Sequence, residues 1–301
     1  ITTFLRMNYI YFFVKKIYKT FFWIYFHPLV SNEKYKAIAR YFWFHYSTKP
    51  CQPFKIPLLK QKLWVVKGQG SQTNYFTYLE DYEDMLFLLH YTRSGDLFID
   101  IGANMGSYSV LAGGVKNANV LSFEPSPINY QWFLKNIEQN NLESFIIPKQ
   151  LALGNQNRET KIVLNGALSH ITEKIVEGSV SVRMKKLDNI ADYGDLIKMD
   201  VEGYELSVLE GGKSVLSNPR TNALIIEMKE IYGNNSCKSD VYKFLTDLDF
   251  RPYSYNPINR ELLLLSTYNR RLPNTIFIRD IKQVLDRIRS SISIKVGKFS
   301  Y

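Results

Sequence analysis

From about residue 95 onward, short apolar runs alternate with segments whose apolar residues recur at helical spacing. The apolar runs predict β-strands at 97–101, 120–123, 145–151, 196–199 and 223–227. The segments that follow the strands predict helices at 106–115, 127–140, 204–210 and 240–248. Apolar strands separated by helices form a mostly parallel sheet that is covered on both faces, so the pattern predicts an α/β fold.

Three more strands are predicted late in the chain, and they complete a mixed sheet. They lie near 250–255, 261–266 and 274–279, and an amphipathic helix at 280–290 follows them. The segment 155–186 lacks a regular pattern, and we expect it to form short strands and a loop over the functional site.

Two elements are predicted directly before the first strand of the sheet. Residues 62–79 predict a β-hairpin with Gly68 and Gly70 at its turn. Residues 80–92 predict a helix, and the apolar residues on its buried side are Met85, Leu86, Leu88 and Leu89.

The first 60 residues predict a basic, aromatic, helical extension, and Pro50, Pro53 and Pro57 predict a linker between it and a domain at 61–301. Residues 9–26 are apolar except for Lys15, Lys16, Lys19 and Thr20, and a helix would bring the three lysines to one side. Such a helix suits a membrane interface, so residues 1–30 are predicted to contact an anionic membrane. The alternative is a helix packed on the domain or on a second subunit. Residues 31–50 predict a second short aromatic helix.

The composition excludes several classes of protein. The hydrophobic and charged fractions are those of a chain that folds, which excludes a disordered protein. Two cysteines are too few for a disulfide framework or a four-thiolate zinc site. No uncharged stretch reaches the roughly 20 residues that a helix needs to span a bilayer. The net charge of +10 is uneven, because residues 1–67 carry +11, residues 279–301 carry +4, and the segment between them carries −5. We therefore expect basic ends against an anionic surface, no nucleic-acid partner, and a cytoplasmic protein that is peripheral at the membrane. The sequence does not indicate an oligomeric state.

The residues that follow the first two strands predict a cofactor site. Ligands of open parallel sheets bind at the carboxyl ends of the strands, and the loop Asp100-Ile-Gly-Ala-Asn-Met-Gly106 follows strand one. Glu124 follows strand two, 22 residues beyond Gly102, where an acid accepts hydrogen bonds from ribose hydroxyls. Asn104 stands where a dinucleotide-binding loop needs a glycine, so the loop suits a ligand without phosphate but with a charged amino-acid tail. The ligand that meets this description is S-adenosylmethionine, with Asp100 near its ammonium group.

Several motifs, taken in order, resemble those of the FkbM family of S-adenosylmethionine-dependent methyltransferases. They are Asp-Ile-Gly-Ala-Asn-Met-Gly at 100–106, Phe-Glu-Pro-Ser-Pro at 123–127, Leu-Lys-Asn-Ile at 134–137, Ala-Leu-Gly at 152–154, and Asp-Val-Glu-Gly-Tyr-Glu at 200–205. The resemblance covers roughly residues 79–279. It implies a Rossmann-like class I methyltransferase fold with a seven-stranded mixed sheet and helices on both faces. It also implies methyl transfer to an oxygen, with a hydroxyl of a sugar, glycan or glycosylated natural product as acceptor.

The same resemblance implies roles for individual residues. Those implied to hold the methionine part of the cofactor are Asp100, Gly102, Asn104 and Gly106. Glu124 is implied to bind the ribose, and Ser126, Leu151 and Ala152 are implied to flank the adenine. Asp200 and Glu202 are implied to lie beside the reacting methyl group. The chain departs from the family pattern after strand five, where many relatives have a histidine soon after the acid and this chain has Glu227-Met-Lys-Glu230.

Methyl transfer to a hydroxyl needs a group that accepts the proton, and three residues are candidates. Asp200 is the first, and its alternative role is to bind cofactor or to cap the next helix. Glu202 is the second, with charge compensation at a helix N-terminus as its alternative. His170 lies in the irregular segment and would reach over the site, although a lone loop histidine is often only solvated. Asp200 and Glu227 end neighbouring strands, and their carboxylates suit a hard divalent cation. Two carboxylates are few ligands for such a cation, so no metal is assigned.

Two other classes of function remain open from the sequence. An RNA ribose methyltransferase would use the basic termini and a lysine near Asp200, for which Lys198 is available. A non-catalytic membrane-associated module with a methyltransferase fold would have a defective cofactor site. The cofactor residues are all present, which argues against the second class.

Overall fold

The computed structural model describes residues 18–49, 52–67, 71–165, 169–172, 177–228 and 238–301. The described helices are 18–26 (α1), Lys34–Ser47 (α2), Thr73–Thr77 (α3), Tyr82–Tyr91 (α4), Ser107–Lys116 (α5), Pro127–Gln139 (α6), Glu205–Gly211 (α7), Lys213–Ser217 (α8), Lys238–Asp247 (α9) and Ile281–Arg289 (α10). The described strands are Pro53–Leu58 (β1), Gln61–Val66 (β2), Leu97–Ile101 (β3), Asn119–Phe123 (β4), Ile146–Lys149 (β5), Ala152–Leu153 (β6), Arg158–Val163 (β7), His170–Thr172 (β8), Ser179–Lys185 (β9), Leu196–Met199 (β10), Ala223–Glu227 (β11), Arg251–Asn256 (β12), Glu261–Leu264 (β13), Asn274–Ile278 (β14), Lys295–Val296 (β15) and Phe299–Ser300 (β16).

The main sheet has the strand order β13-β12-β14-β11-β10-β3-β4-β5. The five strands from β11 to β5 are parallel to their neighbours, and β14 lies antiparallel between β11 and β12. The chain builds β3, β4 and β5 toward one edge and then returns to place β10 on the other side of β3. The order therefore reverses between β3 and β10, and the carboxyl ends of these two strands are where a ligand of such a sheet binds.

Successive residues of the sheet strands belong to two different apolar cores, one on each face of the sheet. Phe98, Leu196 and Ile225 belong to the core that contains α4, α5, α6 and α10. Ile99 and Ile197, which follow two of them in sequence, belong to the core with α7, α8 and α9. Since successive side chains of a strand point to opposite faces, both faces of the sheet are covered by helices. The predicted Rossmann-like class I α/β fold is confirmed.

The number of strands differs from the prediction of seven, because the main sheet of the described residues has eight. Seven is the number that the family resemblance implies, whereas the pattern of apolar runs predicted eight. The strand predicted near 261–266 is β13, which pairs antiparallel with β12 at the edge of the sheet. Arg260 lies in the turn between them with φ of 53°. Its guanidinium donates hydrogen bonds to the carbonyl oxygens of Ser291 (2.5 Å) and Tyr301 (3.0 Å), which fixes the hairpin to the C-terminal segment.

The hairpin predicted at 62–79 was wrong in its position, because the observed hairpin begins earlier in the chain. The hairpin is β1 and β2, and residues 59–60 form its turn, while part of the predicted second strand is the short helix α3. Pro53 and Pro57 lie in β1 and so do not belong to a linker. Proline is tolerated there because β1 is an edge strand that pairs with β2 in a two-stranded sheet. Gly68 and Gly70 lie outside the described residues.

The short strands predicted in segment 155–186 are confirmed, and they are part of a regular sheet that the sequence pattern did not indicate. Strands β6, β9, β7 and β8 form a separate four-stranded sheet, in which β7 and β9 pair over six residues. Ile162, Ile171 and Met184 form a small apolar core under this sheet, against the partly buried Tyr204. The small sheet therefore stands beside the start of α7, close to the carboxyl end of β10.

The described part of the N-terminal extension packs on the α/β domain. Ile24, Leu29 and Phe44 are fully buried in the same apolar core as the first strand of the main sheet. This packing agrees with the predicted alternative of a helix on the domain. Its other face remains open, since Phe22 and Phe26 are 52% and 59% exposed. None of the helices in the described part of the chain has both the length and the apolarity needed to cross a bilayer.

Candidate active site

The loop after β3 and the residue after β10 are in direct contact. Gly102 has φ of 80°, and a Cβ at this position would lie 1.8 Å from the carbonyl oxygen of Asp200. The backbone N–H of Asp200 in turn donates to the carbonyl oxygen of Ile101 at 2.9 Å. Only glycine fits this conformation and this space, and its presence holds the two strand ends together.

Asp100 is a buried carboxylate directly beneath this loop. Its Oδ2 accepts a hydrogen bond from Oγ of Ser109 at 2.6 Å, and Oγ of Ser109 and Ser122 lie 2.8 Å apart. Its Oδ1 is buried and has no hydrogen-bond partner among the described residues. Burial raises the pKa of Asp100, although the nearby ammonium of Lys198 counteracts this. An unsatisfied carboxylate oxygen at this place suits a ligand with a positive charge or an N–H donor.

Glu124 links the loop after β3 to the end of β4. Its Oε2 accepts from the backbone N–H of Asn104, and its Oε1 from that of Ser126, both at 2.8 Å. Asn104 adopts a left-handed conformation, with φ of 52°, that presents this N–H. Burial raises the pKa of Glu124 to about 7, with the two backbone hydrogen bonds acting against the increase. Each carboxylate oxygen retains a second lone pair, so Glu124 can also accept from ligand hydroxyls.

Three predicted cofactor residues, Asp100, Gly106 and Ser126, have supporting positions and do not line either cavity beside this loop. Gly106 precedes α5 with φ of 87°, and a Cβ there would lie 2.2 Å from the ring of Phe133. It therefore allows α5 and α6 to approach each other. Ser126 is the N-cap of α6, where its side chain accepts from the N–H of Asn129 at 3.5 Å, and its own N–H binds Glu124.

A small cavity of about 60 Å³ lies on the Glu124 side of the loop. Leu151 and Ala152, the residues predicted to flank adenine, line it together with Ile162. His170, predicted as a candidate base, lies in β8 and lines this same cavity. The small sheet thus contributes to the wall of this cavity, and His170 is brought to the predicted adenine side of the site.

A larger cavity of about 740 Å³ lies on the other side of the loop. The two cavities meet at residues that line both, namely Gly102, Asn104, Asp200 and Glu202. Glu202 follows β10 with φ of 52°, which is an uncommon conformation for a residue with a side chain. Asp200 and Glu202 therefore stand at the junction of the two cavities.

Lys198 and Asp200 form an ion pair at the floor of the larger cavity, with Nζ 3.1 Å from Oδ2. The side chain of Lys198 is 5% exposed and that of Asp200 is 36% exposed. Burial disfavours the charged ammonium, but the carboxylates of Asp200, Asp100 and Asp81 outweigh it and raise the pKa of Lys198. The ammonium also lies 4.7 Å from the ring centre of Tyr108. Lys198 is thus a fixed positive charge beside Asp200.

The segment before α4 contributes two acids that the sequence analysis did not assign to the site. Glu80 and Asp81 line the larger cavity, and Asp81 accepts a hydrogen bond from the hydroxyl of Tyr108 at 3.0 Å. Glu80 accepts from Asn74 Nδ2 at 3.0 Å and from the hydroxyl of Thr73. Burial and the charge of Asp81 raise the pKa of Glu80 to about 7. The only signal in the sequence is the cluster of acids Glu80-Asp-Tyr-Glu-Asp84 at a helix start, which is common on solvated helices.

Three carboxylates meet where β10 and β11 end. One oxygen each of Asp200, Glu202 and Glu227 lies within 4.8 Å of the others. The sequence analysis considered two of these acids and assigned no metal, and the structure adds Glu202 to the group. Oxygen ligands of this kind suit a hard cation such as Mg²⁺.

The chain is similar to known methyltransferases over its α/β domain. The profile of the methyltransferase FkbM domain matches residues 100–252. The hexuronic acid methyltransferase AglP of Haloferax volcanii is 26% identical over 147 residues, covering 47% of this chain and 59% of that protein. The methyltransferase sdnD of Sordaria araneosa is 26% identical over 175 residues, covering 45% of this chain and 68% of that protein. This chain therefore spans somewhat more than half of the length of the first of these relatives.

Among solved structures, a putative rRNA methylase from Clostridium thermocellum matches with a TM-score of 0.43 and 12% identity, covering 65% of this chain and 92% of that one. A similarity at this level says nothing about function. The profile match, in contrast, extends over half of the chain and includes the loop after β3, Glu124 and the residues after β10. The chain belongs to the FkbM methyltransferase family.

Proposed function

We propose that the protein transfers a methyl group from S-adenosylmethionine to a hydroxyl oxygen of a sugar or glycan. The observation that carries the proposal is the junction of two cavities at Asp200. The smaller cavity contains Glu124, and the larger one is polar and lined by acids such as Glu80. Family membership and the name of AglP, a hexuronic acid methyltransferase, support a sugar acceptor.

The residues present fit S-adenosylmethionine. The buried Oδ1 of Asp100 lacks a partner and suits the ammonium group of the methionine part. Glu124 lines the smaller cavity with a carboxylate that can accept a hydrogen bond from a ribose hydroxyl. Leu151 and Ala152 supply apolar surface for the adenine. When bound, the cofactor supplies a methyl group activated by a positively charged sulfur.

The chain itself contributes orientation and a proton acceptor. Holding an acceptor hydroxyl in line with the methyl group can supply up to about 10 kcal/mol of the barrier. Asp200 is the residue proposed to accept the hydroxyl proton, because its carboxylate lines the larger cavity and is held in place by Lys198. A general base of this kind contributes about 10²- to 10⁴-fold in rate. Glu202 and Glu80 are proposed to bind neighbouring hydroxyls of the acceptor.

A screen of acceptors with labelled cofactor tests this function. Sugar nucleotides, lipid-linked glycans and RNA are offered in parallel, and we expect label in the first or second class. The ion pair of Lys198 with Asp200 is the observation that favours RNA ribose as a second candidate. The name of AglP, a hexuronic acid methyltransferase, favours the sugar. Label in RNA alone would replace the proposal by the second candidate.

The affinity for S-adenosylmethionine is expected to depend on pH through Glu124. The ionised carboxylate is the form that accepts from ribose hydroxyls, and the pKa of Glu124 in the free protein is about 7. The ionised fraction rises through this pH, so the affinity should be about tenfold higher at pH 8 than at pH 6. Glu124→Gln should bind more weakly and lose this pH dependence, and Glu124→Ala should bind weaker still.

Calorimetry at the two pH values measures both effects. Glu138→Gln, an exposed acid on the adjacent helix α6, is the matched control and should behave as the wild type. Unchanged affinity in Glu124→Ala would remove the assignment of the cofactor site.

We also propose that the N-terminal residues attach the enzyme to an anionic membrane. The exposed aromatic side chains of α1 and α2 support this, and the largest exposed fractions belong to Tyr18, Phe26, Tyr35, Trp43 and Tyr46. Ile24 and Leu29 belong to the core of the domain, so removal of 1–17 tests the attachment without opening that core. The full chain should float with vesicles that contain an anionic lipid, and the shortened chain should float at least about threefold less at physiological salt. The full chain with Tyr18, Tyr35 and Tyr46 replaced by serine should also float less, and equal flotation of all three proteins would contradict the attachment.

A further inference from the structure

A groove with an aromatic wall opens beside the larger cavity, and the proposed function leaves it without a role. Its volume is about 670 Å³. One wall is α1, which contributes Phe22, Trp23 and Phe26, and the opposite wall includes Tyr82, Leu272 and Pro273. We call this space the aromatic groove.

The aromatic groove is continuous with the larger cavity of the candidate active site. Glu80, Asp81, Arg271, Leu272 and Pro273 line both spaces. A molecule that places one end beside Asp200 can therefore extend past Glu80 and Asp81 into the groove. The two ends of this path differ in chemistry. The active-site end carries charged side chains of both signs, such as Glu227 and Lys198, and the α1 end carries aromatic rings.

The rings of α1 form a continuous apolar surface along the groove. Tyr18, Phe22 and Phe26 follow each other at intervals of one helical turn. Their ring centres are 6.1 Å apart between Tyr18 and Phe22 and 4.4 Å apart between Phe22 and Phe26. More than half of each of these side chains is exposed. A contiguous apolar surface of this kind on a folded domain marks a place where another apolar group binds.

The wall formed by α1 is fixed to the active site by His27. Its ring is buried and makes an edge-to-face contact with the ring of Tyr82, with 5.8 Å between the centres. The same ring is hydrogen-bonded to the backbone of Glu80. Burial lowers the pKa of His27 to about 4, so the ring stays neutral under ordinary conditions. The groove is therefore a formed feature of the site.

We infer that the acceptor is an amphipathic glycoside, with its sugar beside Asp200 and a hydrocarbon chain in the aromatic groove. This inference rests on the proposed function, because it assumes that the larger cavity holds the acceptor. A hydrocarbon chain gains free energy from apolar contact alone. Phe22, Phe26 and Leu272 supply such contact, and the polar side chains that also line the groove include Lys19, Glu83 and Asp84.

The dependence of affinity on chain length tests the inference directly. The probes are n-alkyl glucosides from methyl to octyl, each used below the concentration at which it forms micelles, with the full chain in the presence of S-adenosylmethionine. Each methylene buried in the groove should strengthen binding by up to about fourfold. We expect at least about a tenfold gain from butyl to octyl glucoside in calorimetry.

Matched variants separate the groove from the rest of the aromatic surface. Phe22→Glu and Phe26→Glu should abolish the gain with chain length, because a carboxylate is placed in the path of the chain. Phe42→Glu and Trp43→Glu alter rings of α2 with exposures of 53% and 59%, close to those of Phe22 and Phe26, outside the residues that line the groove. These two controls should keep the full gain.

Three results distinguish failure of this inference from failure of the proposed function. If S-adenosylmethionine does not bind, the proposed function fails regardless of the glucoside series. If the cofactor binds but wild-type affinity does not change with chain length, the groove inference fails and the proposed function stands. If the gain persists in Phe22→Glu and Phe26→Glu, or is lost equally in all four variants, the chain does not bind along α1 and the inference is likewise overturned.

Discussion

Asp200→Asn should lower the turnover of methyl transfer by about 10²- to 10⁴-fold and change the affinity for S-adenosylmethionine by less than about threefold. Asparagine keeps the size of the side chain and the backbone hydrogen bond to Ile101, but its amide cannot accept the proton of a hydroxyl. The substitution also removes the partner of Lys198, whose ammonium is buried. That ammonium remains near the carboxylate of Asp100, so the charge is not left without compensation.

Turnover is measured with saturating cofactor and labelled methyl group, and affinity by calorimetry. Asp247→Asn, an exposed acid at the end of α9, is the control for the loss of one negative charge and should be unchanged. Wild-type turnover in Asp200→Asn would exclude Asp200 as the proton acceptor. A loss of cofactor binding equal to the loss of turnover would assign it to cofactor binding alone.

Gly102→Ala should lower the affinity for S-adenosylmethionine by at least about 100-fold and destabilise the fold by about 3 kcal/mol or more. The added methyl group would lie 1.8 Å from the carbonyl oxygen of Asp200, so the loop after β3 or the end of β10 must move. Either movement displaces a wall that both cavities share. The residue would also be forced into a conformation, with φ of 80°, that alanine disfavours.

Gly95→Ala separates the two causes. Gly95 has φ of 82°, but a Cβ there meets no heavy atom within 4 Å. It should cost about 1–2 kcal/mol from conformation alone and leave cofactor binding intact. Thermal unfolding and calorimetry on both variants provide the comparison. Similar losses of stability in the two variants would show that the contact between Gly102 and Asp200 matters little.

The sequence predicted the part of the site that follows the strands directly. Apolar runs located β3, β4 and β10, and the position of a residue just past a strand end follows from the strand itself. Asp100, Glu124 and Asp200 could be placed in this way from the sequence alone. Their hydrogen bonds could not, because Glu124 is held by the backbone of Asn104, and that contact depends on a left-handed residue in the loop.

The walls of the larger cavity could not be predicted in the same way. Glu80 and Arg271 are separated by almost two hundred residues and belong to segments without a motif. They line one cavity because α4, which follows Glu80, packs on the main sheet, and β14, which follows Arg271, is a strand of that sheet. The hairpin β1–β2 was misplaced because proline usually breaks strands, and only tertiary structure shows that β1 is an edge where proline is tolerated.

The antiparallel insertion of β14 between β11 and β12 has a consequence for anyone who recombines this enzyme with a relative. The segment shared with the family, 100–252, begins inside β3 and ends inside β12, and it lacks β14. Without β14, the edge of β11 is unpaired and β12 has nothing that joins it to the sheet. A chimera that exchanges only the shared segment must therefore rely on the recipient to supply a matching β14. Exchange from Leu97 through Ile278 would transfer a complete sheet.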